Sequence, residues 1–377
     1  MPGFFIKIIP KPVYVTFVFH MLQLLKEIQG FQSKSQGVYP QGIFPSQRCL
    51  TTTGIVWEDD NSFFTALIVF TLHRLKKYFS NGEKNIFEDI KHQAQKAFPR
   101  YKSKKVEGTY NFWRTEKNAH FPNGNIFSKF NYFALADDAD CTALIYITKG
   151  YSQDEINHLC EKLIHHSSLP VKISSNTLPQ YRNLKLYSTW FGKNIPIEVD
   201  ICVTANLLYL LSEGNTTLNE YDLDSIKFIC SVINNNEHKS QPFRVAPYYP
   251  RTSIILYHIS RLLTVADNAD LLSMKEKLKA DIFHELSEKN HPMERVILNT
   301  SLIWLGETKN IEEIEMPGDI NFPWFIAGML TSINNPIANR LAPSSLFHLQ
   351  FYCEAYMKTL YLEYKLERNR LFPAHIL

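Results

Sequence analysis

Two kinds of helical segment alternate along this chain of 377 residues, and that alternation restricts the fold more than any single motif does. One kind is amphipathic. Glu83–Phe98, Gln153–His166, Asp222–Ile233 and Leu271–Leu286 each carry apolar residues at i, i+3 and i+4 spacing with polar residues between them. The other kind is apolar on nearly every side: Phe63–Leu75, Cys141–Thr148, Cys202–Leu211, Thr252–Leu263, Glu294–Leu305 and Ser344–Tyr361. A helix that is apolar all round must be enclosed by other helices, whereas an amphipathic one lies outside with one face wet. An inner and an outer helix together form a hairpin that cannot bury its own inner face. Stacking six such hairpins around a ring buries all the inner faces at once and predicts an all-α (α/α)6 toroid.

The repeat shows in the letters as well as in the periodicity. Thr65-Ala66-Leu67-Ile68, Thr142-Ala143-Leu144-Ile145 and Thr204-Ala205-Asn206-Leu207 occupy equivalent places in three inner segments. Acidic residues precede each of them: Asp59-Asp60, Asp138-Ala139-Asp140 and Asp200. A hydrophobic fraction of 45% supplies a core for one domain over residues 1–377, with residues 1–40 as an N-terminal helix and linker packed on the ring. The apolar run Val13–Leu25 is broken by His20 and Gln23 and preceded by Pro10 and Pro12, which suits a packed helix better than a signal peptide. No run reaches the roughly 18 to 20 apolar residues that cross a bilayer, so any membrane contact is expected to be peripheral.

Composition removes several classes of function. Only 14 glycines occur, too few to favour a glycine-loop nucleotide fold, and the net charge of +3 forms no basic stripe. The densest basic run, Lys102–Lys105, reads as a solvated loop, so no nucleic-acid partner is expected. The six cysteines form no CxxC pair, a pattern of reduced thiols in a cytoplasmic protein.

The chemistry concentrates at Asp137-Asp138-Ala139-Asp140-Cys141-Thr142-Ala143, where three carboxylates and a thiol run into an apolar helix. Burial there would raise a carboxyl pKa and make it a proton donor. The competing reading is an ordinary helix N-cap, for which Asp is a preferred residue and which Asp60 and Asp200 repeat. One cap needs one carboxylate, however, and this segment carries three.

A helical toroid with Asp138, Asp140, Cys141, Thr142 and Ala143 in this order resembles the class II terpene cyclases, the squalene and oxidosqualene cyclase branch of the terpene cyclase and prenyltransferase superfamily. Their acid motif reads Asp-x-Asp-Asp-Thr-Ala in one branch and Asp-Cys-Thr-Ala in the other, and this chain blends the two. The hairpin layout is shared from about residue 40 onward, and only the six-residue motif is chemically specific. The chain departs from the family in having room for one helical domain instead of two and in lacking repeated Gln-Trp motifs and an Asp-Asp-x-x-Asp motif.

The resemblance implies an enzyme that starts cyclisation of an isoprenoid by protonation, with Asp140 as general acid and Asp138 and Cys141 supporting it. It implies no cofactor, and magnesium only where the substrate carries a diphosphate, for which Arg244 with Arg251 or Arg340 offers charge. Aromatic faces stabilise carbocations, and the candidate lining is Trp57, Tyr110, Trp113, Phe133, Tyr248, Tyr249 and Trp324. Two alternatives remain open at this point. Asp200, Cys202 and His258 resemble the zinc ligands of protein prenyltransferases, and a toroid can equally hold an apolar ligand or a protein partner without catalysis.

Overall fold

The computed structural model describes residues 11–35, 37–116, 135–169, 176–192, 197–288, 290–328 and 336–372. In chain order the first half contains α1 (Lys11–Phe31), β1 (Ser46–Leu50), β2 (Ile55–Asp59), α2 (Phe63–Leu75), α3 (Asn81–Ala97), β3 (Tyr110–Asn111), β4 (Asp137–Asp138), α4 (Ala139–Lys149) and α5 (Gln153–His165). Then come β5 (Trp190–Phe191), α6 (Ile201–Glu213), α7 (Glu220–Asn234), α8 (Glu237–Ser240), α9 (Pro242–Val245), α10 (Thr252–Leu262), α11 (Ala269–Ser273) and α12 (Lys275–Ser287). The chain ends with α13 (Pro292–Trp304), β6 (Phe325–Gly328), α14 (Pro336–Leu341), β7 (His348–Tyr352) and α15 (Glu354–Leu371).

The apolar helices form the inner wall. Each packs on the next in the order α2, α4, α6, α10, α13, α15, and α15 returns to α2, so the ring is closed. Closure follows from the burial pattern: α2, α4, α6, α10 and α13 bury almost every residue, which an open solenoid would leave half exposed. The fold is therefore an α/α toroid. The amphipathic helices lie outside. α1 packs on α15 and α3, α3 on α2, α7 on α6, and α12 on α10 and α13. Between α13 and α15 an extended stretch takes the outer position, where the Tyr364 hydroxyl accepts from Ile314 N at 3.0 Å and donates to the Glu312 carbonyl at 2.5 Å.

Local chemistry sets the helix starts. Outer helices α3, α5 and α7 open on reciprocal capping boxes, Ser80 with Glu83, Ser152 with Glu155, and Asn219 with Asp222. Inner helices α4 and α6 open instead on single aspartates, Asp138 and Asp200. The linker after α1 is held by Gln32, which donates to the Gly42 and Ile90 carbonyls. Gly42 has φ +90° and backs onto the Gln93 carbonyl with no room for a Cβ, so glycine is required there.

Two small antiparallel sheets were not signalled by the periodicity. One has the order β2-β1-β7-β6, the other β3-β4-β5. Strands of two to five residues are too short for alternation to register. β7 corrects one boundary: the inner helix expected over Ser344–Tyr361 begins at Glu354 and runs to Leu371. Residues 348–352 are instead pulled into the sheet between β1 and β6. The strands feed the inner helices directly: β4 precedes α4, β7 precedes α15, and Ile326 of β6 donates to the Tyr248 carbonyl just ahead of α10. The sheets thus gather at the end of the ring where inner helices begin.

Candidate active site

The register of the inner helices shows which carboxylate is surplus. In α4, Asp138 is the N-cap: its Oδ1 accepts from Asp140 N at 2.8 Å, and the Thr142 hydroxyl donates to its carbonyl at 2.7 Å. Asp200 does the same in α6, accepting from Cys202 N at 2.8 Å while Thr204 donates to its carbonyl at 2.9 Å. In α2 the matching residue is Asn61, whose Oδ1 accepts from Phe64 N at 3.1 Å. Asp140 therefore aligns with Phe63 and Cys202, positions that perform no capping. The competing reading of Asp140 as a helix cap falls to Asp138, because a cap residue lies outside the first helical turn and Asp140 lies within it.

The three neighbouring carboxylates face three directions. Asp137 turns outward to the Ser103 and Thr109 hydroxyls at 2.5 and 3.2 Å. Asp138 caps the helix and accepts from the Cys141 thiol at 3.2 Å. Asp140 turns into the ring, where Asn206 Nδ2 donates to its Oδ1 at 2.6 Å and the Tyr249 hydroxyl to its Oδ2 at 2.5 Å. Arg261 Nη2 in turn donates to Asn206 Oδ1 at 2.5 Å, so one carboxamide bridges a buried acid and a buried cation. Asp140, Asn206 and Arg261 are each at most 2% exposed.

Burial governs the protonation of this cluster. It raises the Asp140 carboxyl above the usual carboxylate range, against the opposing pull of the Tyr249 and Asn206 hydrogen bonds and the Arg261 charge. Asp138 is raised as well, first by burial and then by the Asp140 charge beside it, so the pair resists double ionisation. Burial also pushes Asp200 up to about 7. The Asp138–Asp140 pair can therefore hold one proton at a pH where an exposed carboxyl is ionised.

That wall is continuous. Phe63, Phe112, Tyr249, Phe325 and Phe351 pack edge to face, tilted or in parallel, with centroid separations from 4.4 to 6.3 Å. Beside it lies a cavity of about 170 Å³ whose lining includes Tyr249, Ile254, Trp324 and Phe325, with Arg251 and Gln350 also reaching it. Near the opposite ends of α2 and α13 the ring is sealed by a second polar group. Arg74 pairs with Glu363 at 2.8 Å and stacks 4.3 Å over Trp304, and the Tyr257 hydroxyl donates to Glu363 at 2.6 Å.

No protein-family model matches this chain, and no curated protein matches it. Among solved structures it superposes on an unsaturated glucuronyl hydrolase specific for heparin, with TM-score 0.45 and 9% identity over 96% of this chain and 98% of that one.

The aromatic residues expected as lining are distributed unevenly. Tyr249 and Trp324 border the cavity. Tyr248 is partly buried and turns its hydroxyl to Glu198, which Trp190 Nε1 also reaches at 3.0 Å. Trp113 spends its indole N–H on Asp59 at 3.1 Å, and Tyr110 belongs to β3 with its ring edge-on to Tyr146. Trp57 is 38% exposed on β2, an edge strand, with Arg48 over its ring, so the structure does not bring it to Asp140. Phe133 lies outside the described residues.

Two further expectations are corrected. Asp200 is engaged in capping and in accepting from Tyr248 N at 2.9 Å, and His258 Nδ1 lies 2.8 Å from the Ile254 carbonyl. Among the described residues no three His, Cys, Asp or Glu side chains converge as a metal ion would require, so the zinc reading loses its ligand set. Arg244 is tied to the Asn176 and Thr177 carbonyls at 3.1 Å and Arg340 is exposed, which leaves Arg251 as the guanidinium at the cavity. Cys141 touches Asp138, and supports Asp140 only through it.

Sequence reasoning passed over Asn206 and Arg261, although a signal existed. Each is a polar residue inside an otherwise apolar inner helix, and such a residue must find a buried partner.

Proposed function

We propose that this chain catalyses proton-initiated cyclisation of a polyprenyl substrate, in the manner of class II terpene cyclases, with Asp140 as the acid. One observation carries the reading: Asp140 is a carboxyl beyond what capping requires, buried inside the ring, where burial raises its pKa above the usual carboxylate range.

Tyr249 carries the proton. Its hydroxyl, which donates to Asp140 Oδ2 at rest, turns to accept the Asp140 proton and passes its own to the alkene carbon, so one O–H bond is remade as the C–H bond forms. The phenol ring belongs to the cavity wall and its hydroxyl to the acid, which suits that relay. The resulting cation lies against aromatic faces, each worth about 0.5 to 2 kcal/mol to a desolvated cation. The cavity of about 170 Å³ is below the roughly 300 Å³ at which sites for drug-sized ligands begin. It therefore receives the reacting end of the chain, with the remainder leading out past Arg251.

The test is incubation with farnesyl and geranylgeranyl diphosphate, squalene and oxidosqualene, with and without magnesium, followed by gas chromatography. Wild-type protein is expected to cyclise at least one of these and Asp140→Asn none. Equal product from both proteins removes Asp140 as the acid, and no turnover of any polyene removes the cyclase reading.

A further inference from the structure

We infer that Arg261 is a positioning residue that decides which oxygen of Asp140 carries the proton, holding it on Oδ2, the oxygen that faces Tyr249; this deepens the cyclase reading above and rests on it. A guanidinium has donors and no acceptor. Arg261 Nη2 meets Asn206 at 2.5 Å, so the carboxamide must turn its oxygen to Arg261 and its nitrogen to Asp140. Asn206 Nδ2 then donates to Asp140 Oδ1 at 2.6 Å, and an oxygen that faces an N–H donor cannot hold a proton along the same line. The other oxygen, Oδ2, lies 2.5 Å from the Tyr249 hydroxyl, a group that accepts as well as donates. Of the two partners only Tyr249 can receive a proton. Protonated Asp140 is therefore a carbonyl towards α6 and an acid towards Tyr249, and only a proton on Oδ2 can pass to Tyr249 and release its O–H hydrogen to the alkene.

Without Arg261 the carboxamide has no such bias, because its two ends have nearly the same shape and a half-turn exchanges them. Turned over, Asn206 would offer an acceptor to Asp140 Oδ1 and draw the proton away from the cavity wall. The surroundings of Arg261 keep its direction fixed. Its guanidinium lies 4.9 Å over Phe70 and 5.2 Å over Tyr257 and is buried between them. None of the arginine ion pairs among the described residues includes it. A buried cation without a carboxylate partner is costly, and a neutral donor would satisfy the Asn206 oxygen as well. The charge gains a use when Asp140 gives up its proton: it stabilises the carboxylate left behind, against the burial that disfavours it.

The experiment compares wild type, Arg261→Met, Arg261→Lys and Asn206→Asp on the polyene that wild type converts. In parallel, the carbonyl stretch of protonated Asp140 is recorded as the infrared difference between each protein and the same protein carrying Asp140→Asn. Arg261→Met is expected to lower kcat by about 10²-fold or more with KM unchanged. Arg261→Lys keeps the charge and a donor and should recover most of that loss. Asn206→Asp keeps a partner for Arg261, so it should fold, but it presents an oxygen to Asp140 Oδ1 and should lose turnover as far as Arg261→Met does. The carbonyl stretch should rise in frequency in Arg261→Met, where Oδ1 no longer accepts from an N–H, and stay in place in Arg261→Lys.

Wild-type kcat in Arg261→Met or Asn206→Asp, equal losses in Arg261→Met and Arg261→Lys, or a stretch that does not move in Arg261→Met overturns the assignment while leaving Asp140 as the acid. If Arg261→Met does not fold, Asn206→Asp decides: lost turnover supports the assignment and retained turnover overturns it. A wild type that consumes no polyene overturns the cyclase reading, and the stretch alone then decides where the proton lies. A wild type with no such stretch overturns both.

Discussion

Replacing Asp140 by Asn should flatten the dependence of stability on pH, and the size of that change follows from the burial of one carboxyl. The substitution keeps the shape and nearly all the hydrogen bonding: the amide oxygen accepts from Asn206, and the amide nitrogen meets the Tyr249 hydroxyl, which turns to accept. The variant should therefore fold. What it loses is an ionisation. Burial lifts the Asp140 pKa from 3.8 to about 6. A group whose folded pKa is raised contributes its stability fully below the unfolded value and loses it as pH rises through the folded value. A shift of roughly two units at 1.36 kcal/mol each makes about 3 kcal/mol. Wild type should thus lose about 3 kcal/mol between about pH 4 and about pH 7 that the variant keeps. Asp138 and Asp200 add to the difference, since the Asp140 charge raises both. Urea unfolding followed by circular dichroism across that range measures it. Parallel pH profiles for the two proteins would refute the argument, because they would mean that Asp140 is not the buried, protonated carboxyl.

Tyr249→Phe removes one donor from Asp140 and should cost about 1 to 3 kcal/mol in urea unfolding. Under the relay, its turnover should fall as far as that of Asp140→Asn, and retained turnover would mean that the acid reaches substrate directly. Asn206→Leu strips a partner from Asp140 and from the buried Arg261 at once and should cost about 3 to 5 kcal/mol, read from the shift of the urea midpoint. Arg251→Ala should leave stability within about 1 kcal/mol, since its ion pair with Glu294 is 3.4 Å long and partly exposed. It should raise KM for diphosphate-bearing polyenes and not for squalene; an equal effect on both would remove Arg251 as the diphosphate contact.

Helix phase explains what was legible before the structure and what was not. The inner helices could be read because being buried on every side leaves no polar face, a property of consecutive residues. Five of the six were placed within a few residues of their observed ends. The sixth began late because His348–Tyr352 carries the same apolar content whether it forms strand or helix, and only pairing with Ser46–Leu50 and Phe325–Gly328 decides for strand. Which of Asp138 and Asp140 caps the helix is not legible in the sequence for a related reason. Near a helix start, two residues are about 200° of rotation, enough to turn one carboxyl to the backbone and the next into the ring.

The sequence by itself determined a closed ring of six apolar helices and concentrated its acid at the start of the second. Both properties are local, written in composition and period. Only the tertiary structure decided which groups surround that acid, because its partners come from far along the chain, Asn206 66 residues and Tyr249 109 residues away. A carboxyl's proton affinity depends on burial and on the donors that reach it. Those were set when the third and fourth inner helices closed against the second, where no pattern within any one helix records them.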